Sequence, residues 1–181
     1  MPLTESWQTA EIPGPKKASL IIKPEIADAM IRRAKRPIMI VGHGAIEYEI
    51  EGNKLIDCII ELAKKANIPV VVTASTSREF QGRGFKTAGL MPAMDIGNRL
   101  KDPAWMGLDG KGNYDLAIFV GLPYYMEWTI LSGLKHFAPQ VKTMTLDCVY
   151  QPNASWSFPN STIKDWAANF RGIIEHFGES P

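Results

Sequence analysis

Small, polar and glycine residues follow each of the four apolar runs along the chain, where they could form a ligand site. Gly42-His43-Gly44 follows the first run, Thr73-Ala74-Ser75 the second, Gly121 to Tyr124 the third, and Asp147-Cys148 the fourth. In open parallel sheets, ligands bind beyond the carboxyl ends of the strands, where the strand order reverses. The sequence therefore predicts a crevice with six candidate binding residues: Gly42, His43, Gly44, Ser75, Gly121 and Asp147.

The first and last of these turns could contact a nucleotide. Gly42 and Gly44 suit a turn whose backbone approaches a phosphate closely. However, no third glycine follows Gly44 and no acidic residue ends the second run, so the NAD fingerprint is not met. The turn is compatible with a nucleotide site or with a purely structural tight turn. Asp147 suits an acceptor for ribose hydroxyl or adenine amine groups, or a turn residue that bonds its own backbone.

His43 is the only histidine near the predicted crevice, because His136 and His176 fall late in helical segments. Its imidazole could act as an acid or base near neutral pH, or could be hydrogen-bonded without a catalytic role. The sequence contains no H-E-x-x-H, G-x-S-x-G or P-loop motif, and its three histidines and two cysteines show no metal-ligand spacing. We therefore predict no catalytic residue and no metal site.

Two further segments could contact a ligand or a partner. Arg78 to Lys86 places cations in a predicted flexible loop after the second run, where they would bind an anion or be solvated. Tyr124, Tyr125 and Trp128 offer flat apolar surface to a flavin ring or to another protein. The sequence leaves both pairs of alternatives open.

The elements that position these residues alternate in type. Short apolar runs alternate with amphipathic segments, which indicates β-α-β units. The runs are Ile38–Val41, Pro69–Val72, Leu116–Val120 and Val141–Leu146. Most are apolar on both faces, as expected of strands covered by helices on each side. We predict an α/β fold with a three-layer, doubly wound parallel sheet.

Four segments are predicted to be helices. The first begins at Pro24 and stops before Pro37, the second covers Asn53–Asn67 with Asn53 as its N-cap, and a short third covers Pro92–Leu100. The last begins after Thr162, which forms a capping-box-like start with Asp165, and it ends at Gly178.

The domain organisation is predicted to be simple. Residues 1–23 are interrupted by Pro13 and Pro15 among others and lack periodicity, so we expect an N-terminal arm, followed by a single domain over residues 24–181. Trp7 in this arm would cover its own domain or contact another subunit.

The composition is that of an ordinary globular protein, with 181 residues, 45% hydrophobic residues and a formal net charge of +1. This charge provides no broad basic field for nucleic acid. The two cysteines are too few to supply all the thiolates of an iron–sulfur cluster, so cluster chemistry would come from a partner. We find no secretory signal and no apolar stretch of about 20 residues, and we predict a cytoplasmic chain with reduced cysteines.

Several segments resemble the central domain of thiamine-diphosphate enzymes. They are Lys35 to Gly44, Asn67 to Thr73, Thr87 to Gly89, Asp115 to Gly121 and Phe137 to Asp147, and the resemblance covers roughly residues 25–155. In some of those enzymes this domain holds FAD, which implies a role in FAD binding for Gly42, Gly44, Gly121 and Asp147. It is not the domain that binds the thiamine cofactor.

A closer resemblance is to the epsilon subunit of the archaeal acetyl-CoA decarbonylase/synthase complex. It is carried by Ile12 to Lys16, by Ile22 to Glu25 and by Arg36-Pro37 leading into Val41-Gly42, and it runs end to end. It implies a DHS-like NAD/FAD-binding fold and a tight complex with the alpha subunit, which carries the nickel–iron–sulfur chemistry of carbon monoxide dehydrogenase. It supplies no catalytic residue that can be transferred to this chain.

The resemblance implies an accessory, non-catalytic subunit that stabilises the alpha–epsilon assembly in reversible acetyl-CoA cleavage, with the arm and Tyr124 to Trp128 as interface candidates. The alternative is an electron-transfer module whose crevice receives FAD while alpha supplies electrons. A free-standing enzyme of the sirtuin or deoxyhypusine-synthase type is disfavoured, because the chain has neither paired Cys-x-x-Cys motifs nor an NAD fingerprint.

Overall fold

The four apolar runs form the centre of a parallel sheet in the computed structural model, which describes residues 16–50 and 52–178. The strands are β1 (Ser19–Leu20), β2 (Pro37–Val41), β3 (Glu49–Ile50), β4 (Asn53–Lys54), β5 (Val70–Val72), β6 (Gly89–Leu90), β7 (Leu116–Val120), β8 (Lys142–Thr145) and β9 (Trp156–Ser157). Seven of them form one sheet in the order β1-β9-β8-β7-β2-β5-β6, with every neighbouring pair parallel. The other two, β3 and β4, pair antiparallel.

Helices follow most of these strands. They are α1 (Pro24–Arg33), α2 (Gly44–Glu47), α3 (Leu55–Lys65), α4 (Ala74–Gly82), α5 (Ala93–Lys101), α6 (Tyr124–Phe137) and α7 (Ile163–Gly178). Within the described ranges, none of these helices has the length and apolar character needed to cross a bilayer.

Alternation along β2 divides the core into two layers. Met39 and Val41 join a cluster with the apolar faces of α1, α3 and α7. Ile38 and Ile40 join a second cluster with α5 and α6 on the other face of the sheet. Successive strand residues point to opposite faces, so a strand that is apolar throughout is covered on both sides. The predicted three-layer, doubly wound α/β fold is confirmed.

The predicted helices are present, and one predicted cap is wrong. At the start of α7, the Asp165 N–H donates to Thr162 Oγ1 at 3.2 Å, as the capping-box pattern predicts. The Asp165 Oδ2 accepts from the Thr162 hydroxyl at 2.8 Å, where a full capping box uses the backbone N–H. Asn53 is not the N-cap of α3, because it pairs with Ile50 in the β3–β4 hairpin. Helix α3 begins two residues later, at Leu55.

Part of the predicted arm belongs to the sheet. The Ser19 N–H donates to the carbonyl oxygen of Ser155 at 3.0 Å, and the Ile21 N–H donates to that of Ser157 at 2.8 Å. Ile21 is fully buried. Residues 19–21 of the segment 1–23 thus lie along the sheet edge, and Trp7 lies outside the described residues.

The first half of the cationic segment Arg78 to Lys86 is helical and not a flexible loop. Helix α4 extends through Gly82, and it is fixed by Phe80, which is fully buried. Arg83 contacts Asp57 at 2.6 Å and Glu79 at 2.8 Å. These two carboxylates compensate the charge of Arg83, which is therefore not available to an anion.

Candidate functional site

A cleft of about 280 Å³ opens at the point where the sheet reverses its direction of growth. The chain continues from β2 to β5 on one side, whereas β7 pairs with β2 on the other side and leads to β8. The segments that follow β2, β7 and β8 line the cleft, together with the first turn of α6. This is where doubly wound folds bind ligands.

Glycines allow the turns after β2 and β7 to approach each other. The Gly44 N–H donates to the Gly121 carbonyl oxygen at 2.8 Å. A β-carbon on Gly42 would lie 2.3 Å from that same oxygen, so no larger residue fits there without a shift of the backbone. Gly121 has φ of +73°, in the left-handed region that favours glycine. The packing of the two turns therefore explains all three glycines, whether or not a ligand binds.

Asp147 links the end of β8 to the end of β7. Its Oδ1 accepts a hydrogen bond from the Gly121 N–H at 2.8 Å. Its Oδ2 is buried in the cleft wall and has no hydrogen-bond partner among the described residues. Burial raises the pKa of Asp147 to about 6, against the lowering effect of the Gly121 N–H. Asp147 thus combines a structural hydrogen bond with one oxygen that can accept from a protonated neighbour.

Glu127 is a second buried carboxyl, beside Asp147. It lies in the first turn of α6 and is 1% exposed. Burial, followed by the charge of Asp147, holds the pKa of Glu127 well above its usual range. Its Oε1 also has no hydrogen-bond partner within the described part of the chain. One proton on Glu127, donated to Asp147, satisfies both carboxyl groups, and we therefore interpret them as a pair that shares a proton.

The remaining polar groups of the cleft do not form a nucleophile–base pair. His43 Nε2 lies 3.3 Å from Glu47 Oε1, and both side chains are exposed at the mouth of the cleft. Burial, followed by the charge of Asp147, raises the pKa of the Cys148 thiol, which keeps it protonated and weakly nucleophilic at neutral pH. In the described ranges, no group of three or more His, Cys, Asp or Glu side chains is placed to hold a metal ion.

Ser75 does not join the other candidate residues. It is exposed at the start of α4, where its Oγ lies 3.4 Å from Thr73 Oγ1. The strand that precedes it, β5, is separated from β7 by β2. The structure places His43, Gly44, Gly121 and Asp147 at the cleft, with Gly42 packed directly behind Gly121.

Glu127 is absent from the residues selected by sequence, although the sequence contains a signal for it. It precedes three buried residues of α6 by three, four and seven positions, namely Ile130, Leu131 and Leu134. This spacing describes one face of a helix. A carboxyl on such a face is buried with the apolar residues, so a raised pKa of Glu127 could be predicted from the spacing.

Gln151 was also missed, and no sequence pattern indicates it. It lies in the loop after β8 and is 1% exposed. Its Nε2 donates to the Tyr124 carbonyl oxygen at 3.1 Å, and its Oε1 has no partner among the residues described. Only the folded loop brings this amide to the wall of the cleft.

Comparison with known proteins gives one consistent result. Residues 1–174 match the family described as CO dehydrogenase beta subunit/acetyl-CoA synthase epsilon subunit. The chain is 40% identical to the acetyl-CoA decarbonylase/synthase complex subunit epsilon of Methanothermobacter thermautotrophicus, over 96% of this chain and 94% of the relative. The chain belongs to this family.

Two further epsilon subunits of that complex show similar agreement. Subunit epsilon 1 of Archaeoglobus fulgidus is 37% identical over 89% of this chain and 84% of its own. Subunit epsilon of Methanothrix soehngenii is 36% identical over 85% of this chain and 80% of its own. The epsilon-family membership predicted from the sequence is confirmed.

The cleft of this epsilon-family chain fits only part of FAD. The oxygens of Asp147 and Gln151 suit hydroxyl or amine donors, and Tyr48 and Tyr124 offer planar surface. The diphosphate of FAD, however, is negatively charged, and no lysine or arginine is present among the described residues that line the cleft. The lining therefore offers partners for the nucleoside and ring parts of FAD and no side-chain cation for its diphosphate.

Proposed function

We propose that this chain is an accessory, non-catalytic subunit that associates with the alpha subunit, the carbon monoxide dehydrogenase subunit, of the acetyl-CoA decarbonylase/synthase complex. Its role is to stabilise that subunit during reversible acetyl-CoA cleavage. The observation that carries the proposal is the match over nearly the whole chain to proteins named as epsilon subunits of this complex. A cytoplasmic location is part of the proposal.

The sequence supports an assignment of the metal-cluster chemistry to alpha and not to this chain. The chain has two cysteines in all, which cannot supply the thiolates of a complete iron–sulfur cluster. The cleft contains a buried carboxyl pair and a thiol of raised pKa, and none of these groups is an activated nucleophile. The redox chemistry of carbon monoxide is accordingly assigned to alpha.

Exposed apolar side chains around the cleft support a contact with another protein. Tyr125 is 70% exposed in the first turn of α6, and Tyr48 and Val149 are exposed on residues that line the cleft. Tyrosine is enriched at interfaces because it buries a large apolar ring and keeps a polar group. We assign this rim, defined as Tyr48, Tyr125 and Val149, to the alpha contact.

The stabilising role is tested by the thermal inactivation of alpha. Purified alpha is incubated at elevated temperature with and without an excess of this chain, and the remaining CO oxidation activity is followed over time. The proposal predicts a longer half-life with the chain and no change in the initial rate before heating. An unchanged half-life would contradict the stabilising role.

A flavin-dependent electron-transfer role is the second candidate, favoured by the position of the cleft at the switch point and by the Gln151 Oε1, which is buried in the cleft wall without a partner among the described residues. Fluorescence titration of FAD into the chain, alone and mixed with alpha, tests it. Saturable binding that Asp147→Ala weakens, with subunit assembly intact, would support this role. Absence of saturable binding in both states would eliminate it.

A further inference from the structure

The Glu127–Asp147 pair places a negative charge in the wall of the cleft. Both side chains line the cleft, and the Glu127 Oε1 and Asp147 Oδ2 atoms are both buried. Because the two carboxyls share one proton, one of their two charges remains at neutral pH. A buried charge is costly unless a group of opposite sign lies beside it. The pair therefore requires a cation.

The described part of the chain does not bring a cation to this charge. The lining contains no lysine or arginine within the described ranges. His43 lies at the mouth, where its Nε2 is 3.3 Å from Glu47 Oε1, so a charge on its imidazole is offset there. The side chains beside Glu127, other than Asp147, are the neutral Thr145 and Gln151.

The Gln151 amide supplies a second and independent feature. It lines the same cleft and is 1% exposed. Its Nε2 donates to the carbonyl oxygen of Tyr124, whereas its Oε1 is buried and has no partner among the described residues. Buried polar groups are nearly always hydrogen-bonded, so this oxygen requires a donor. An ammonium group carries one positive charge and three donors, and it meets the requirements of the amide and of the carboxyl pair together.

We propose that the cleft receives the ammonium group of a lysine side chain of the alpha subunit. This inference rests on the proposed function, in which alpha contacts the rim of the cleft. Lysine packs its four-carbon stem on apolar surface and keeps its charged end at polar groups. Leu122, Pro123 and Val149 line the cleft and offer that apolar surface.

The surroundings of the cleft favour a lysine of a protein over a small amine. Tyr48, Tyr125 and Val149 expose apolar surface around the mouth, and a small amine would leave this surface in water. A protein surface that inserts a lysine covers the rim at the same time. The lysine would also exclude FAD from the cleft, so this inference belongs to the accessory role and not to the electron-transfer role.

Isothermal titration of alpha with the full chain tests the contribution of the charge. Glu127→Gln combined with Asp147→Asn keeps the shape of both side chains and an acceptor for the Gly121 N–H, but it removes the negative charge. We expect this double variant to bind alpha at least about tenfold more weakly. Glu175→Gln removes one negative charge from an exposed position of α7, and as the matched control it should bind like the parent chain.

A second pair of variants acts at the mouth of the cleft, where a change of side chain does not disturb the core. The His43 side chain is 51% exposed. His43→Lys places an ammonium group in the path of the incoming lysine, and we expect it to weaken binding of alpha at least about tenfold. His43→Met has a side chain of similar length without the charge, and it should leave the affinity unchanged. This pair decides the test if the double variant does not fold.

The outcomes separate this inference from the proposed function. If the parent chain does not bind alpha, both are wrong. If the parent chain binds and the double variant binds as tightly as Glu175→Gln, the proposed function stands and the lysine inference is wrong. Equal affinities of His43→Lys and His43→Met would overturn the inference in the same way.

Discussion

The Asp147 carboxylate accepts a hydrogen bond from the backbone N–H of Gly121 at 2.8 Å, and this contact joins the carboxyl ends of β8 and β7. The carbonyl oxygen of Gly121 in turn accepts from the Gly44 N–H, after β2. A single chain of contacts thus fixes the ends of three adjacent strands at the cleft. The backbone N–H groups of Gly44 and Gly121 are therefore already hydrogen-bonded within the fold.

Removal of the Asp147 carboxylate should destabilise the fold. Asp147→Ala leaves the buried Gly121 N–H without its acceptor, which costs about 1–3 kcal/mol in the free energy of unfolding. Asp147→Asn keeps an oxygen at the Oδ1 position and should retain most of that stability. Urea unfolding of the two variants measures the difference, and equal stabilities would show that this hydrogen bond contributes nothing.

The Glu127–Asp147 pair should make stability fall as pH rises. Both carboxyls have folded-state pKa values above their unfolded values, about 6 for Asp147, so the native state binds more protons. Their stabilising contribution is complete below the unfolded values near pH 4 and is lost as pH rises through the folded values. Glu127→Gln removes one titration and keeps a donor to Asp147, so its stability should depend less steeply on pH.

Urea unfolding at several pH values from 4 to 8 compares this variant with the parent chain. The matched control is Glu175→Gln, which changes an exposed carboxyl of α7. The control should follow the parent chain over the whole range. If Glu127→Gln has the same pH slope as the control, the shared-proton interpretation is wrong.

Two glycine-to-alanine changes should have opposite effects. Gly121→Ala places a β-carbon 2.7 Å from the Ala45 nitrogen and forces alanine to φ of +73°, a conformation that alone costs about 1–3 kcal/mol. Gly133→Ala, inside α6, meets nothing within 4 Å and should stabilise the chain by about 0.5–1 kcal/mol. Thermal or urea unfolding reports both signs, and a stable Gly121→Ala variant would contradict the tight packing of the two turns.

The two ends of α6 allow a controlled test of the alpha contact. Tyr125 and Phe137 are 70% and 69% exposed, and they lie about 18 Å apart along the helix at 1.5 Å per residue. Tyr125→Ser should weaken association with alpha at least about tenfold, as expected of an aromatic interface residue, whereas Phe137→Ser should not. If the two variants weaken association equally in a surface-binding assay, the alpha contact does not lie at the rim.

The centre of the sheet was predictable because its strands are apolar on both faces, as β2 shows. The outer strands were not, since β1, β6 and β9 have two residues each and owe their extended backbone to pairing with a neighbour. Asn53 is a common N-cap residue type, yet the hairpin with Ile50 takes precedence over that local preference.

The same distinction applies to the site. Gly121 directly follows β7, which is apolar throughout, and Asp147 lies two residues after β8. Their meeting at the switch point follows from the fold class. Ser75 occupies an equivalent place after β5, but β2 lies between β5 and β7, so Ser75 is not at the cleft. The order of the strands depends on tertiary packing, which the sequence pattern does not describe. Gln151 comes from an irregular loop whose path no periodicity describes.

The most direct test of the central claim is the mass of the particle that forms when this chain is mixed with the alpha subunit of its own complex. Sedimentation velocity at micromolar concentration measures this mass for each protein alone and for the mixture. Our account predicts a new species that contains both chains at a fixed ratio. Two independent boundaries, each with the mass of its separate protein, would contradict it.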